Sequence, residues 1–552
     1  MTTWWNAVSG GAFYTRWSAA VSLLVAGVFS VPSVGGAGIE AYLRGATVAV
    51  LGWSVLAAMV VPVAVAERRL ASRPARGVVV LASLVVVATI RPAVNDAISS
   101  ALFGIVPSGP ASSRIATNLV TALALLSIVA VITSRHAAAR AAAERLRAAL
   151  VRVERAEARR QHVAAEARAA LVAGIAALRR SRERMLAGPI DFDVVRTFSE
   201  DVRGLSHRID RLLREHDAER DDERDDEMSE AGPASHERGP GLSMRLVAPP
   251  WFSVAPLYAL ACFPYAVAAG GVGVGLAGIA GGVVVDVIAG GAVRRWARPP
   301  RPVVFLLVWI AAGCAMSVVT YLFLPRIGVL GLVPVLAVPV VAVLVGLCRD
   351  ALSRARTDER RAAAGLAEVA REAAEIDESA GPRRAIDVLH GRAQGACVVF
   401  AARVDERAPT PDEVDDFRCR TEAAFEEILE SGDPERMPAS ESLDRLIEAW
   451  APAVAVTQRI DDAVRLRLSD PDAAERVVSV VTEALVNAVK HSGARRARVV
   501  ARVTGSGSLL LRVSSPGRLG PVPGRGLGTV GRRVYQDGDD VVLETVITLP
   551  SL

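Results

Sequence analysis

The sequence is poor in cysteine and in aromatic residues. Its 552 residues include only five cysteines, which are scattered and form no CxxC pair, so neither a disulfide framework nor a zinc site is predicted. Aromatic residues make up 5% of the chain, and the arginines cluster beside apolar segments instead of alternating with aromatics on a soluble face. This distribution argues against direct nucleic-acid binding.

Apolar residues are abundant: 51% of the chain is hydrophobic, 22% is charged and the mean hydropathy is +0.33. A chain of this composition is expected to be partly buried in lipid and partly solvated. A spanning helix needs about 20 mostly apolar residues, and this criterion picks out spans in two blocks. The predicted spans are 17–35, 44–66, 77–106, 115–133, 252–270, 272–292, 303–324 and 327–348. The amino terminus shows no cleavable signal.

Arginine position predicts the orientation of these spans, because positively charged loops stay on the cytoplasmic side. The arginines lie after the second, fourth, sixth and eighth spans, for example Arg68, Arg135, Arg294 and Arg349. We therefore expect a multi-pass protein of the cell membrane, in contact with membrane lipid and with both termini in the cytoplasm. The matching arginine clusters at 67–74 and 293–300 fit either an internal duplication of the two blocks or the general preference of arginine for cytoplasmic loops.

The third span contains Arg91, Pro92, Asn95 and Asp96. It either ends early in an external loop, which is the simpler interpretation, or lines a polar cavity that tolerates an ionisable pair.

Composition divides the chain into six predicted regions. They are a first transmembrane block (1–134), a cytoplasmic helical region (135–216), an acidic disordered linker (217–245), a second transmembrane block (246–349), a signalling helix with dimerisation helices (350–432) and an ATPase-like domain (440–552). Within 135–216, two helical stretches separated by Gly188-Pro189 form either a dimerising hairpin without a phosphoacceptor or a solvated connecting helix.

The 385–404 stretch has small or apolar residues at spacings of three and four, typical of a helix-pairing seam. Together with 412–431 it predicts a hairpin that forms a four-helix bundle on dimerisation. His390 flanks the seam, and Leu389-His-Gly-Arg-Ala-Gln394 resembles the phosphoacceptor helix of sensor histidine kinases with a short dimerisation domain. The resemblance implies phosphorylation of His390, although Gly391 stands where many members have an acidic residue.

A long helix is predicted from Asp470-Pro471, a helix-capping residue followed by proline at the first helical position. Its apolar face carries Val477, Val480, Val481, Ala484, Leu485 and Ala488. Glu483, Asn487 and His491 recur every four residues on another face, next to Lys490.

The run Thr482–Ala494 resembles the N-box of the ATPase fold shared by histidine kinases, DNA gyrase and Hsp90 chaperones. The resemblance implies that Asn487 holds Mg²⁺, that Glu483 positions metal or water, and that Lys490 and His491 reach the phosphates of ATP. These roles agree with elementary chemistry, because hard cations prefer oxygen ligands and a triphosphate needs positive charge.

Alternating strands at 497–503, 509–513 and 541–549 complete a two-layer α/β sandwich. The glycine loop between them resembles the second glycine box of the same family, whose backbone N–H groups cradle phosphate. The implied nucleotide contacts there are Gly524, Gly526, Leu527 and Gly528. At the first glycine box, Gly517 is retained, whereas Ser515 stands where a carboxylate is expected to bind adenine.

The sequence thus predicts a multi-domain protein: α-helical transmembrane bundles, a helical dimerisation hairpin and a histidine-kinase/Hsp90-like ATPase sandwich. The resemblance implies a homodimeric, ATP- and Mg²⁺-dependent sensor histidine kinase that passes its phosphoryl group to a cytoplasmic response regulator. Two alternatives stay open. One is a degenerate kinase acting as a receptor or scaffold, and the other is a transporter with a regulatory tail.

Overall fold

A computed structural model describes residues 2–11, 13–28, 39–105, 111–229, 246–296, 302–377, 380–430, 435–436, 439–504, 507–519 and 532–547. This part of the chain is mostly helical, with one small mixed sheet near the carboxyl end. The helices are α1 Thr2–Val8, α2 Arg16–Val28, α3 Ile39–Arg69, α4 Arg73–Phe103, α5 Ala111–Thr121, α6 Ser127–Leu186, α7 Phe192–Ser229, α8 Ala255–Gly270, α9 Val272–Trp296, α10 Pro302–Phe323, α11 Val333–Glu375, α12 Ala380–Val388, α13 Gln394–Glu406, α14 Pro411–Glu430, α15 Ser442–Trp450, α16 Asp462–Arg467 and α17 Pro471–Ser492.

The strands are β1 Ile376–Asp377, β2 Glu435–Arg436, β3 Ala455–Ile460, β4 Arg496–Val503, β5 Leu509–Pro516, β6 Arg532–Asp537 and β7 Asp540–Ile547. The chain forms two compact units. Unit 1 comprises Met1–Ala141 and Gly239–Asp358, and unit 2 comprises Ala142–Arg238 and Glu359–Leu552. Helices α6 and α11 contribute residues to both units.

Unit 1 consists of apolar helices. In the described chain, six helices are long and apolar enough to cross a membrane: those containing 40–69, 73–103, 111–186, 272–296, 302–323 and 333–375. The predicted spans at 17–35 and 252–270 correspond to shorter apolar helices, 17–28 and Ala255–Gly270, and residues 29–35 lie outside the described chain. These features are compatible with a membrane protein.

One buried carboxylate of unit 1 has a structural role. Asp286 of α9 is almost fully buried and accepts hydrogen bonds from the backbone N–H groups of Phe252 (2.8 Å), Val254 (3.0 Å) and Ala255 (3.1 Å). These donors precede or begin α8 and lack helical partners. Asp286 therefore caps α8 from a neighbouring helix, which accounts for an acidic residue in an apolar segment.

Unit 2 contains a four-helix bundle that is made within one chain. The carboxyl half of α6 and helix α7 supply one hairpin, and α12–α13 with α14 supply the other. Buried residues from both hairpins share one core, including Ile175, Phe198, Leu389, Phe400 and Phe425. The predicted helix 385–404 is present as α12, a π-helical turn and α13, and the predicted helix 412–431 is present up to Glu430; the stretches on either side of Gly188-Pro189 are also helical, as predicted.

The acidic segment 217–245 differs from the prediction of a disordered linker, because α7 continues to Ser229. Residues 230–245 lie outside the described chain.

The sheet of unit 2 has the strand order β3-β4-β5-β7-β6. Strands β3 and β4 are parallel, and the other neighbouring pairs are antiparallel. Helices α15 and α17 share a hydrophobic core with this sheet, centred on Trp450, Val477, Leu485 and Leu511. The predicted strands at 497–503, 509–513 and 541–549 match β4, β5 and β7, whereas β3, β6, α15 and α16 were not predicted.

Candidate functional site

The candidate nucleotide site is built on α17. The Asp470 side chain accepts a hydrogen bond from the N–H of Asp472 (3.2 Å), Pro471 begins the helix, and Gly493 ends it in the left-handed conformation. The caps predicted from the sequence are therefore present. All six residues of the predicted apolar face are buried against the sheet, which fixes the rotation of the helix.

This rotation places the predicted polar residues along one edge of the helix. Glu483 and Asn487 are half-buried, four residues apart and therefore one above the other. Magnesium that is held largely by substrate phosphates needs only one or two protein oxygens, and these two side chains supply oxygens of the right type. In the described chain no group of three or more His, Cys, Asp or Glu residues has the arrangement of a metal site.

The segment after β5 meets the carboxyl end of α17. A Cβ atom on Gly517 would lie 2.8 Å from the Cβ of Ser492, so only glycine allows this close approach. Ser515 pairs with Val541 in the sheet and is almost fully buried. It continues the row Leu509, Leu511, Val513 on the face that packs with α17. The structure therefore brings Ser515 and Gly517 to the helix that carries Asn487.

Gln536 of β6 secures this segment. Its amide oxygen accepts from the N–H of Leu519 (2.7 Å), and its amide nitrogen donates to the carbonyl oxygens of Gly517 (3.0 Å), Gly538 (2.9 Å) and Asp540 (3.0 Å). No sequence pattern indicates this role, because Gln536 is 17 or more residues from the segment that it holds. The predicted loop residues Gly524, Gly526, Leu527 and Gly528 lie outside the described chain.

Lys490 is the only lysine in the sequence, and it is held by an ion pair. Its Nζ lies 2.5 Å from a carboxylate oxygen of Glu359 on α11, and its carbonyl oxygen accepts a hydrogen bond of 3.3 Å from Arg145 on α6. Both partners belong to unit 2. Lys490 thus lies at the predicted end of the site, but its charge is directed to a carboxylate.

His491 follows in the same environment. Burial lowers the pKa of its imidazole, the positive charges of Lys490 and Arg145 lower it further, and Glu359 opposes them. The imidazole is therefore neutral near pH 7 and offers a hydrogen bond rather than a full charge.

His390, the predicted phosphoacceptor, lies apart from these residues, on the surface of the four-helix bundle. It is exposed and belongs to a π-helical turn, Leu389–Ala393, between α12 and α13. Its Nδ1 lies 3.1 Å from the amide oxygen of Gln394. Turns of this type interrupt helices mainly at functional positions, and helical periodicity could not predict it.

A second histidine lies beside His390. His207 of α7 stands edge-on to it, with ring centroids 5.8 Å apart and ring planes at 72°. The sequence did not single out His207, since it is 183 residues away and only the packing of α7 on α13 brings the rings together.

Comparisons with known proteins find a distant similarity. No protein-family model and no curated protein matches the chain. Among solved structures, it resembles the Erythrobacter litoralis EL346 blue-light activated histidine kinase with 22% sequence identity and a TM-score of 0.16. The match covers 31% of this chain and 60% of that kinase, so it spans less than two thirds of the kinase. The chain thus has a partial and distant likeness to a histidine kinase.

Proposed function

We propose that this protein is a membrane sensor histidine kinase that phosphorylates itself on His390 and passes the phosphoryl group to an aspartate of a response regulator. The observation that carries the proposal is the rotation of α17. Its apolar face is buried in the sheet core, while Glu483 and Asn487 form a half-buried polar edge of the helix whose end, at Ser492, meets Gly517.

The contact of His390 with Gln394 supports a nucleophilic role. When the amide oxygen of Gln394 accepts a hydrogen bond from Nδ1, the proton is on Nδ1 and the lone pair is on Nε2. Neutral Nε2 can then attack the γ-phosphorus of ATP in line, so that an N–P bond forms and the P–O bond to ADP breaks. The Nδ1 proton is released to solvent, while the Gln394 oxygen holds the tautomer by accepting a hydrogen bond.

The bundle also supports phosphorylation within one chain. In homodimeric kinases of the type predicted here, a second copy would supply the second hairpin of the bundle. Here α6 and α7 occupy that place, and their core residues are continuous with those of α12–α14. We therefore favour a kinase in which each bundle has one phosphoacceptor, His390, and is served by the ATPase domain of the same chain. The homodimer stays a prediction from the sequence.

A second function, a degenerate kinase that acts as a receptor or scaffold, is favoured by specific substitutions. Ser515 lacks the carboxylate expected for adenine, and Lys490 is paired with Glu359. Both features weaken nucleotide binding, so ATP binding and phosphorylation separate the two functions.

The test uses the full chain in lipid nanodiscs, incubated with Mg²⁺ and γ-labelled ATP. We expect acid-labile label in the wild type and in His162→Gln, a control at an exposed histidine of α6. The label should disappear in His390→Gln and in Asn487→Ala.

Three other outcomes would change the assignment. Label that persists in His390→Gln but is lost in His207→Gln would make His207 the phosphoacceptor. Label that forms between an Asn487→Ala chain and a His390→Gln chain, when the two are mixed, would contradict phosphorylation within one chain. Absence of both label and ATP binding in the wild type would favour the scaffold.

The ion pair of Lys490 leads to a separate prediction. Replacing Glu359 with glutamine should tighten binding of Mg²⁺–ATP by roughly two- to fivefold, since partly exposed ion pairs contribute about 1 kcal/mol or less. Lys490 would then be free to face the phosphates. Because Lys490 is the only lysine, reductive ¹³C-methylation places a label on it and on the terminal amine, and the methyl group keeps the charge.

The ¹³C signal lost in Lys490→Arg identifies Lys490, and its shift should respond to ATP more strongly in Glu359→Gln. Glu368→Gln is the matched control, because Glu368 pairs with Arg371 on the exposed face of the same helix. Equal ATP affinities in wild type and Glu359→Gln would show that the ion pair does not compete with the nucleotide.

A further inference from the structure

Unit 1 contains a partly open cavity of about 390 Å³. Helices α4 and α5 form one side of it, and α8, α9, α10 and the segment that follows α10 form the other. Its volume is within the range of small-molecule sites in proteins, roughly 300 to 1,000 Å³. The cavity therefore has room for a ligand with both a polar group and an apolar part.

One side of the cavity is charged. Arg114 of α5 donates to the carboxylate of Asp96 at 2.7 Å, and Arg91, one and a half turns before Asp96 on α4, also faces the cavity. Within the described chain the Arg91 guanidinium has no hydrogen bond or ion pair. Two guanidinium groups and one carboxylate give the cavity one net positive charge, which favours an anion.

Uncharged polar residues also line this side, namely Asn95, Thr117 and Asn118. Oδ1 of Asn95, Oδ1 of Asp96 and Oγ1 of Thr117 are among the buried oxygen atoms without a hydrogen-bond partner in the described chain. They are closed off from water, and Oδ1 of Asn95 lies against Gly52 of α3, so these three oxygens do not contact a ligand in the cavity. The polar contact of a ligand is therefore made by the charged groups, Arg91 above all.

The opposite side is apolar. Met316, Val319 and Phe323 of α10 line it together with Leu324 and Ile327. A ligand that spans the cavity would place an acyl or aromatic group against these side chains while its anionic end meets Arg91.

Arg91 differs from other charged groups of unit 1, because it has no hydrogen bond or ion pair within the described chain. Asp286 and Glu67, two other buried acids of unit 1, each accept backbone N–H groups at helix ends or loops. Arg91 instead lies 18 residues from the start of α4 and 12 from its end, about 27 Å and 18 Å along the helix. An arginine within an apolar span costs about 2.5 to 3.5 kcal/mol or more, a cost that a bound anion would offset.

We propose that this cavity is a binding site for an amphiphilic anion, a carboxylate or phosphate group with an apolar tail. Arg91 binds the anionic group, and the α10 side chains contact the tail. The arginine-rich loop before α4 is predicted to be cytoplasmic, so the site faces the outer half of the membrane. Binding does not depend on kinase activity.

The first experiment uses the full chain in phosphatidylcholine nanodiscs and radiolabelled N-octanoylglycine, which has a carboxylate, an amide N–H and an apolar tail. Empty nanodiscs correct for partitioning into lipid. We expect saturable binding in the wild type, roughly 10- to 100-fold weaker binding in Arg91→Gln, and wild-type affinity in Arg326→Gln. Arg326 is exposed just after α10 and does not line the cavity. The uncharged methyl ester should bind to the wild type no more tightly than the charged probe binds to Arg91→Gln.

A second arm identifies the source of the anion. Native mass spectrometry of the chain purified from membranes should reveal a retained anionic phospholipid if the natural ligand is a lipid, and that lipid should be absent from Arg91→Gln. Binding of the probe without a retained lipid would indicate a free amphiphile.

A third variant blocks the cavity by size, so that the test does not depend on the folding of Arg91→Gln alone. Ala266→Trp fills the cavity from α8 without changing a charge and should block the probe. The proposal is overturned if the wild type shows neither saturable probe binding nor a retained anion, or if Arg91→Gln and Ala266→Trp both bind the probe like the wild type.

Discussion

Replacing Arg182 with alanine should lower the free energy of opening of the four-helix bundle by about 3 kcal/mol, because the ion pair and the hydrogen bond of a buried guanidinium are then lost together. Arg182 lies on α6 with only 5% of its side chain exposed. It connects the first hairpin of the bundle with α14 of the second, so its loss should weaken the packing of the two hairpins on each other.

The contacts of Arg182 explain this magnitude. Its guanidinium lies 2.8 Å from a carboxylate oxygen of Glu422, donates to Oγ1 of Thr421 at 3.0 Å and lies 5.8 Å from the centre of the Phe425 ring. Glu422 also pairs with Arg179, so it keeps one cation after the substitution. This remaining pair puts the estimate at the lower end of the 3 to 5 kcal/mol typical of such losses.

Two further variants separate charge from packing. Arg182→Met keeps most of the buried stem but leaves Glu422 without this cation, as Arg182→Ala does, so it should restore only the packing part of the loss. Arg196→Ala removes an arginine that is exposed on α7 and paired only with Glu200 in the described structure, and it should have no measurable effect.

Native-state hydrogen exchange on the full chain measures these effects, because it reports local opening in a multi-domain protein. Amides of buried residues such as Phe425 and Cys397 should exchange about 100-fold faster in Arg182→Ala. Unchanged protection in α13 and α14 would mean that the α6–α7 hairpin is not required for the bundle.

Much of the candidate site could be predicted because it depends on local rules. A helix cap, a proline at the first turn and residues repeated every three to four positions determine both the bounds of α17 and its buried face. Alternation likewise predicted β4, β5 and β7. Strand β3 was not predicted, because it is an edge strand and its residues Thr457, Gln458 and Arg459 lack the alternating pattern of β4.

The features that the sequence did not predict depend on tertiary contacts. A seam of apolar residues along α13 requires a partner helix, but its spacing does not say whether α7 of the same chain or a second copy fills that role. The same limit applies to Glu359, which is 131 residues from Lys490, and to Arg114, which meets Asp96 only after α5 folds back on α4. The two π-helical turns, at Ala122–Leu126 and Leu389–Ala393, depart from the periodicity on which helix prediction relies.

The second large effect is expected at the first glycine box. Ser515→Asp should tighten binding of Mg²⁺–ATP by roughly 10- to 100-fold, the effect of one charge-assisted hydrogen bond of about 1.5 to 3 kcal/mol. Ser515 is 8% exposed, on the face of β5 that packs with α17. A carboxylate there would accept a hydrogen bond from the amino group of adenine, as the resemblance to this ATPase family implies.

Nucleotide specificity gives the sharpest test of this prediction. Guanine has a carbonyl oxygen where adenine has its amino group, so Ser515→Asp should not improve the binding of GTP. Ser514→Asp introduces the same charge on the opposite face of β5 and should leave ATP affinity unchanged. Without nucleotide, the buried carboxylate of Ser515→Asp should destabilise the fold, because burial disfavours its charged form. Equal gains for ATP and GTP, or no gain in a folded Ser515→Asp chain, would mean that adenine does not bind next to residue 515.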